Sequence, residues 1–428
     1  MSTLTPEITS KDKRYDEMFD AENEAEALGT TLIDDPYPRW ADMLSKAPVM
    51  QGSLAECMGY GAELAGHMYH AGHSYYTALS FEAVSECFTN KDKFCSGFYG
   101  QHIGDLGDTI LGMDGERHRR LRDVVQPYFQ PTFAQTWWNE KTIRTSIEEL
   151  ISSIEENGHA DLNADFFARL PMHAVTAGFG LSPEEGLSFR FNMQKASNPN
   201  TPPQERGEAI KTATGILYKV IEARRAIPQD DIISKLATGE LKEADGTTRL
   251  LTVPEIMRFC QLIVFAGGGT TWRQLGITLF GLLTHPDQFE AVKNDRSLIP
   301  NTVLEAVRWE TTDPLFPRMA VKDTTLMGVD IPKDSVIHVC IGAANRDPSR
   351  WENPEKFDIF RPMKRSLAFA AGAHSCLGQH VARQEIAGSL NAIIDRLPNI
   401  RWDDSKPPAK IMGGLIGRGP GPLHVVFG

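Results

Sequence analysis

Apolar residues recur at three- and four-residue intervals through 119–130, 140–155, 165–180, 210–225, 254–284, 300–310 and 380–397. That spacing places them on one face of an α-helix. Two stretches depart from it. From Val49 to Leu79 the chain is rich in aromatic residues and glycine, and from Ala320 to Val339 apolar and polar residues alternate around Met-Gly-Val-Asp and Pro-Lys-Asp turns. Both predict short strands, as does a last stretch from Ile411 to Phe427. Asp35 to Trp40 reads as a turn into a short helix, with prolines where helices start. The polar segment Gly239–Thr248 reads as a surface loop. Without an internal repeat or a low-complexity linker, the pattern predicts a mainly α chain with minor β. A flexible lead-in over residues 1–34 precedes a single domain over 35–428.

The longest periodic stretch opens at Thr252-Val-Pro-Glu255, a capping box with proline at an early position. It continues to about Leu283, which makes roughly 45 Å of helix. In its middle lies Ala266-Gly-Gly-Gly-Thr-Thr271. Each glycine costs a helix about 1 kcal/mol relative to alanine, so three together imply that the helix makes room for something there.

Composition narrows the function. The 428 residues carry a net charge of −12, with 41% hydrophobic and 23% charged residues. This is an ordinary globular balance, and its acidity argues against a nucleic-acid partner. The six cysteines form no CxxC pair, which points to a reducing compartment rather than a disulfide framework. The polar, acidic N-terminus has neither a signal-peptide core nor an anchor, and no apolar run reaches the roughly 18 residues of a membrane span. The expectation is a cytoplasmic protein that makes no membrane contact.

The segment Phe369-Ala-Ala-Gly-Ala-His-Ser-Cys-Leu-Gly378 carries the candidate chemistry. Cys376 stands just before a periodic helix, where backbone N–H groups and the helix dipole favour a thiolate. Gly372 and Gly378 flank it, suited to a sharp turn or to backbone lying close against a flat group. Phe369 is placed to shield the sulfur, and dryness around a ligating sulfur tunes a metal's potential. The plain alternative is a buried free cysteine.

This loop resembles the haem-binding signature of the cytochrome P-450 family, in which a Cys thiolate holds the iron. The resemblance implies that family's fold, with haem b (iron protoporphyrin IX) between a distal and a proximal helix. Three further segments match in order. Glu305-Ala-Val-Arg308 resembles the Glu-x-x-Arg motif, and Arg361 falls where a second arginine reaches that glutamate, forming a structural lock. His118, Arg122, Arg318 and His374 fall at positions for donors to the haem propionates. Ala266 and the glycines after it lie where the distal helix crosses the haem and give dioxygen and substrate access, and Thr270 takes the place of the family's catalytic threonine.

What the resemblance implies is insertion of one oxygen atom from dioxygen into a hydrophobic small molecule, such as a terpenoid, steroid, alkyl or aromatic compound. Electrons would come from a separate ferredoxin and its reductase. Arg119, Arg120, Lys364 and Arg365 are candidates for a basic docking patch. By position, Phe98, Ile103, Leu106, Phe265, Leu315, Phe316, Leu415 and Ile416 would face the substrate. One departure matters. The family usually has an acid before the threonine, and this chain has Gly269, so proton delivery must take another route; a carboxylate added there would find no partner within the glycine run. Two alternatives stay open: a haem-thiolate peroxygenase, isomerase or reductase, and a non-catalytic haem protein that binds a ligand. His67, His70 and His73, spaced three apart, read better as surface histidines of an elaborated hairpin than as a metal site.

Overall fold

Helices with one apolar stripe must bury it against each other, and here they assemble around one large helical core. The computed structural model describes Arg14 and residues 32–102, 108–197 and 201–428. The principal helices are α1 (Tyr37–Lys46), α2 (Phe81–Thr89), α3 (Gly97–His102), α4 (Gly115–Val125), α5 (Arg144–Ser152), α6 (Leu170–Gly178), α7 (Pro183–Ser197), α8 (Pro203–Ala226), α9 (Val253–Thr284), α10 (Ile299–Trp309) and α11 (Gln379–Arg396). The long helix α9 is the spine, packing against α6, α8, α10 and α11. Its start is the expected capping box: Thr252 accepts from the Glu255 N–H at 3.3 Å, and Glu255 accepts from the Thr252 N–H at 2.7 Å. The glycine run does not break it, and 32 residues stay helical.

Among the described residues the strands form five separate sheets. A five-stranded sheet is built from β1 (Val49–Gln51), β2 (Tyr75–Ala78), β3 (Phe94–Cys95), β7 (Leu315–Ala320) and β10 (Val336–Cys340), in the order β1-β2-β10-β7-β3. Only β2 and β10 run parallel, with Val336 opposite Tyr75. This sheet has its own apolar core, which includes Tyr76, Val84, Ile337 and Val339. Among the described residues no helix is long and apolar enough to cross a membrane.

The structure corrects the sequence reading at two places. Gly239–Thr248 is not a plain loop, because β5 (Glu240–Lys242) and β6 (Thr248–Leu250) pair as a hairpin. Only one side chain of β5, Leu241, is buried, so a single apolar position in three residues is all that marks it. Helix α7 went unmarked because its apolar residues do not form one stripe. The lead-in assigned to residues 1–34 lies almost entirely outside the described residues, as do Ile103 and Leu106.

Candidate active site

The loop before α11 is held from both ends. The N–H of Cys376 donates to the Phe369 carbonyl at 2.8 Å, and the N–H of Ala370 to that of Leu367 at 2.8 Å. Gly372 has φ +70°, and a Cβ there would lie 2.4 Å from the Phe88 carbonyl oxygen. The loop is thus wedged against the end of α2 in a conformation that only glycine takes without strain. Burial pushes the Cys376 thiol up; N–H groups of Gly378 and Gln379 aimed at the sulfur, with the charges of Arg122 and Arg383, pull it back. Cys376 nevertheless keeps accessible surface, although protein crowds its thiol. Phe369 packs beneath the Arg383 guanidinium, 5.0 Å from ring centre.

Polar groups left over on that side define what fits. Arg318 is buried, with its Nη1 on the Pro317 carbonyl at 2.9 Å and its guanidinium over the Phe88 ring. Arg122 donates to the Ser375 carbonyl at 2.6 Å and to Gln126 at 2.8 Å. Among the described residues neither cation meets a carboxylate. His118 is buried, stacked on His374 at 4.2 Å, and its Nε2 has no hydrogen-bond partner. Burial first, then the neighbouring His374 and Arg122, lowers its pKa to about 4. His374 itself bonds Asp114 through Nε2 at 3.1 Å. A residue missed in the sequence joins them: the fully buried Tyr99 hydroxyl on α3 lies beside the Arg318 guanidinium and has no acceptor for its own proton. A buried cation without a counter-charge costs several kcal/mol, on the order of 3–5. Two arginines, an imidazole and a phenol without an anion therefore suit a ligand bearing two carboxylates, as haem b does. At Gly378 an added Cβ would meet nothing within 4 Å, which leaves room for a flat group beside the sulfur.

The distal helix shows how the glycines divide their work. Phe265, 40% exposed, and Ala266 present accessible apolar surface in mid-helix, whereas Leu262 to Val264 and Thr271 to Leu279 are buried. An added Cβ at Gly267 would also enter open space. Gly268 differs, because a Cβ there would lie 2.2 Å from Arg190 Nη1. Arg190, from α7, donates to the Gly268 carbonyl at 2.9 Å, and Arg273 to the Gly269 carbonyl at 3.0 Å. One of the three glycines thus admits a guanidinium rather than opening access to the haem. The segment also carries cationic neighbours that the sequence reading of Gly269 did not anticipate. Thr270 donates its hydroxyl proton to the Ala266 carbonyl at 2.8 Å.

The lock is assembled. Arg308 grips Glu305 through two bonds of 2.7 and 2.8 Å, with both side chains buried, and Arg361 approaches the same carboxylate at 3.4 Å. The positions expected to face substrate separate into groups. Leu315, Leu415 and Ile416 are packed with Trp40 and Tyr99 in an apolar cluster, and Phe98 is packed with Tyr75, Met319 and Val336. Their surfaces are covered by the protein itself. Phe316 is half-buried on β7, and Phe265 is the most open.

Comparison with known proteins bears on this geometry. Residues 188–426 match the cytochrome P450 family model. The chain is 33% identical over 380 residues to a steroid C26-monooxygenase of Rhodococcus jostii, covering 85% of this chain and 77% of that one. It is 29% identical over 286 residues to the 6-deoxyerythronolide B hydroxylase of Saccharopolyspora erythraea, covering 67% and 69%. Among solved structures it resembles CYP109E1 of Bacillus megaterium in complex with corticosterone, with TM-score 0.78, 25% identity, and 92% and 98% of the two chains covered.

Proposed function

Because this chain belongs to the cytochrome P450 family, whose members bind haem b and act as monooxygenases, we propose that it inserts one atom of dioxygen into a hydrophobic small molecule in the cytoplasm, using electrons from a separate ferredoxin and its reductase. Of the substrate classes open from sequence, a steroid-sized polycyclic compound is favoured by the steroid monooxygenase relative and the corticosterone-bound neighbour. The observation that carries the reading is the apolar surface of Phe265 and Ala266, open in mid-helix just before Thr270. Such surface in the body of a protein marks a binding site for an apolar molecule.

In this reading Cys376 ligates the iron, while Arg122, Arg318, His118 and Tyr99 hold the propionates. His374, tied to Asp114, braces the His118 ring. When bound, the haem supplies dioxygen activation, with the thiolate favouring O–O cleavage. The chain orients the substrate and delivers protons. The Thr270 proton is committed to Ala266, so its oxygen is left to accept a hydrogen bond and can hold a water molecule in place. With no carboxylate at 269, that water is the proton carrier. For the redox partner, a recess of about 240 Å³ opens beside Phe369, with Lys364, Arg365 and Arg383 in its wall. A basic recess next to the thiolate loop suits an acidic ferredoxin. Arg119 contributes less, because it is paired with Glu116 at 2.7 Å.

The test is a titration of the purified ferric protein with steroids, terpenes, fatty acids and small aromatics, following the Soret band for a low- to high-spin shift. At least one apolar class should shift it saturably; a response confined to charged hydrophilic compounds would overturn the reading. Thr270→Ala should still consume NAD(P)H with a ferredoxin and reductase but release severalfold more hydrogen peroxide per product. Unchanged coupling would remove the threonine from proton delivery and favour the peroxygenase, isomerase or reductase alternatives.

A further inference from the structure

Three histidines from two segments meet away from the thiolate loop. His70 and His73 lie in the connection between β1 and β2, and His102 ends α3. In sequence His67, His70 and His73 read as surface histidines; in the fold His70 and His73 are joined not by His67 but by a residue from a different element. One ring nitrogen of each lies within 4.8 Å of the others. His73 Nε2 and His102 Nε2 are 3.0 Å apart, and the His70 and His102 rings stack at 4.0 Å.

The hydrogen bonds at the far side of two rings orient the group. His70 Nδ1 lies 3.0 Å from the Ala71 carbonyl, and His73 Nδ1 lies 3.2 Å from the Asp334 carbonyl. A carbonyl only accepts, so both Nδ1 atoms carry the proton and both Nε2 atoms offer a lone pair. A backbone carbonyl holding the back of the ring is the usual support of a metal-binding histidine. Zinc–nitrogen bonds of about 2.0–2.1 Å in a tetrahedron put neighbouring nitrogens about 3.3–3.4 Å apart. The His73–His102 pair needs to open by only a few tenths of an ångström, with the His102 proton moving to its Nδ1. His73 and His102 are half-buried and His70 is exposed, which leaves a fourth position facing water.

We propose that His70, His73 and His102 form a binding site for a divalent transition metal of the Zn²⁺ class, with water as fourth ligand. Three neutral imidazoles suit zinc, copper or nickel rather than magnesium or calcium, which prefer oxygen. The ion would fasten α3 to the β1–β2 connection. His102 rests against Phe98, ring centres 4.8 Å apart, and Tyr99 of the same helix reaches the Arg318 region.

The experiment uses the haem-loaded protein, stripped with chelator and titrated with ZnCl₂ against a chromophoric chelator. One zinc per chain should bind, and His73→Ala and His102→Ala should weaken it at least tenfold. His159→Ala, an exposed histidine elsewhere, should not. The thermal midpoint should rise with zinc in the wild type only, relative to the two site variants. A second measurement avoids substitution: saturating zinc should protect His70, His73 and His102 from diethyl pyrocarbonate, read by peptide mass spectrometry. Absence of stoichiometric binding, equal affinity in His73→Ala, or unchanged labelling of the three residues overturns the site.

Discussion

Cys376→Ala is expected to abolish the red-shifted Soret band of the reduced, carbon monoxide-bound protein, or to yield protein without haem. Alanine at Cys57, Cys87, Cys95, Cys260 or Cys340 should preserve it. Three of those five, Cys87, Cys260 and Cys340, are buried in apolar surroundings, where burial pushes each thiol up, that of Cys340 to about 12. Cys57 and Cys95 are half-buried, and burial is the chief influence on each of them as well. Cys376 alone among the cysteines is exposed, and it alone has two helix-entry N–H groups and two arginine charges acting on it together. A metal-bound thiol is deprotonated outright, and those four groups stabilise the resulting charge. The check is a carbon monoxide difference spectrum with haem quantified for all six variants. Loss of the band in any of the other five, with Cys376→Ala retaining it, would reassign the ligand.

How far the chain could be read in advance depended on whether a feature was local. The cysteine loop is contiguous, so its glycines, histidine and cysteine were legible together, and Gly372 proved to sit where a side chain cannot fit. The long helices declared themselves by period and caps. Tyr99 did not, because its importance comes from lying near Arg318 on a strand far along the chain. His102 was invisible for the same reason. Apolar residues are ambiguous in another way: Leu315, Leu415 and Ile416 look like pocket residues in sequence, yet burial against Trp40 satisfies the same hydrophobic requirement. Gly268 shows a third limit. A glycine run announces a need for space, but only the fold reveals that Arg190 occupies part of it.

Glu305→Ala and Arg308→Ala should each give haem-deficient, poorly folded protein rather than an enzyme of altered selectivity, with Arg308→Ala the more severe. Arg308 is fully buried and, besides Glu305, donates to the carbonyls of Asn345 at 3.2 Å, Pro354 at 2.8 Å and Lys356 at 2.9 Å. Its loss leaves a buried carboxylate supported only by Arg361 and the Asp358 N–H, the carbonyls of Asn345 and Pro354 without their donor, the Lys356 carbonyl with Arg361 alone at 3.3 Å, and a void beside Trp351. Breaking one partner of a buried pair costs about 3–5 kcal/mol, and each stranded acceptor up to about 1–3 more. Whole domains have only about 5–15 kcal/mol in hand. Removing Glu305 strands two guanidiniums, but both retain backbone carbonyls as acceptors, so its cost falls nearer the lower figure. The damage reaches the haem side because Asn345, whose carbonyl Arg308 holds, accepts from the Leu367 N–H at 2.7 Å, just ahead of the cysteine loop. Glu305→Gln, which keeps an acceptor for Arg308, should be milder than Glu305→Ala. Haem content and thermal midpoint measured side by side decide it: normal values in Arg308→Ala would show that the loop is held without the lock.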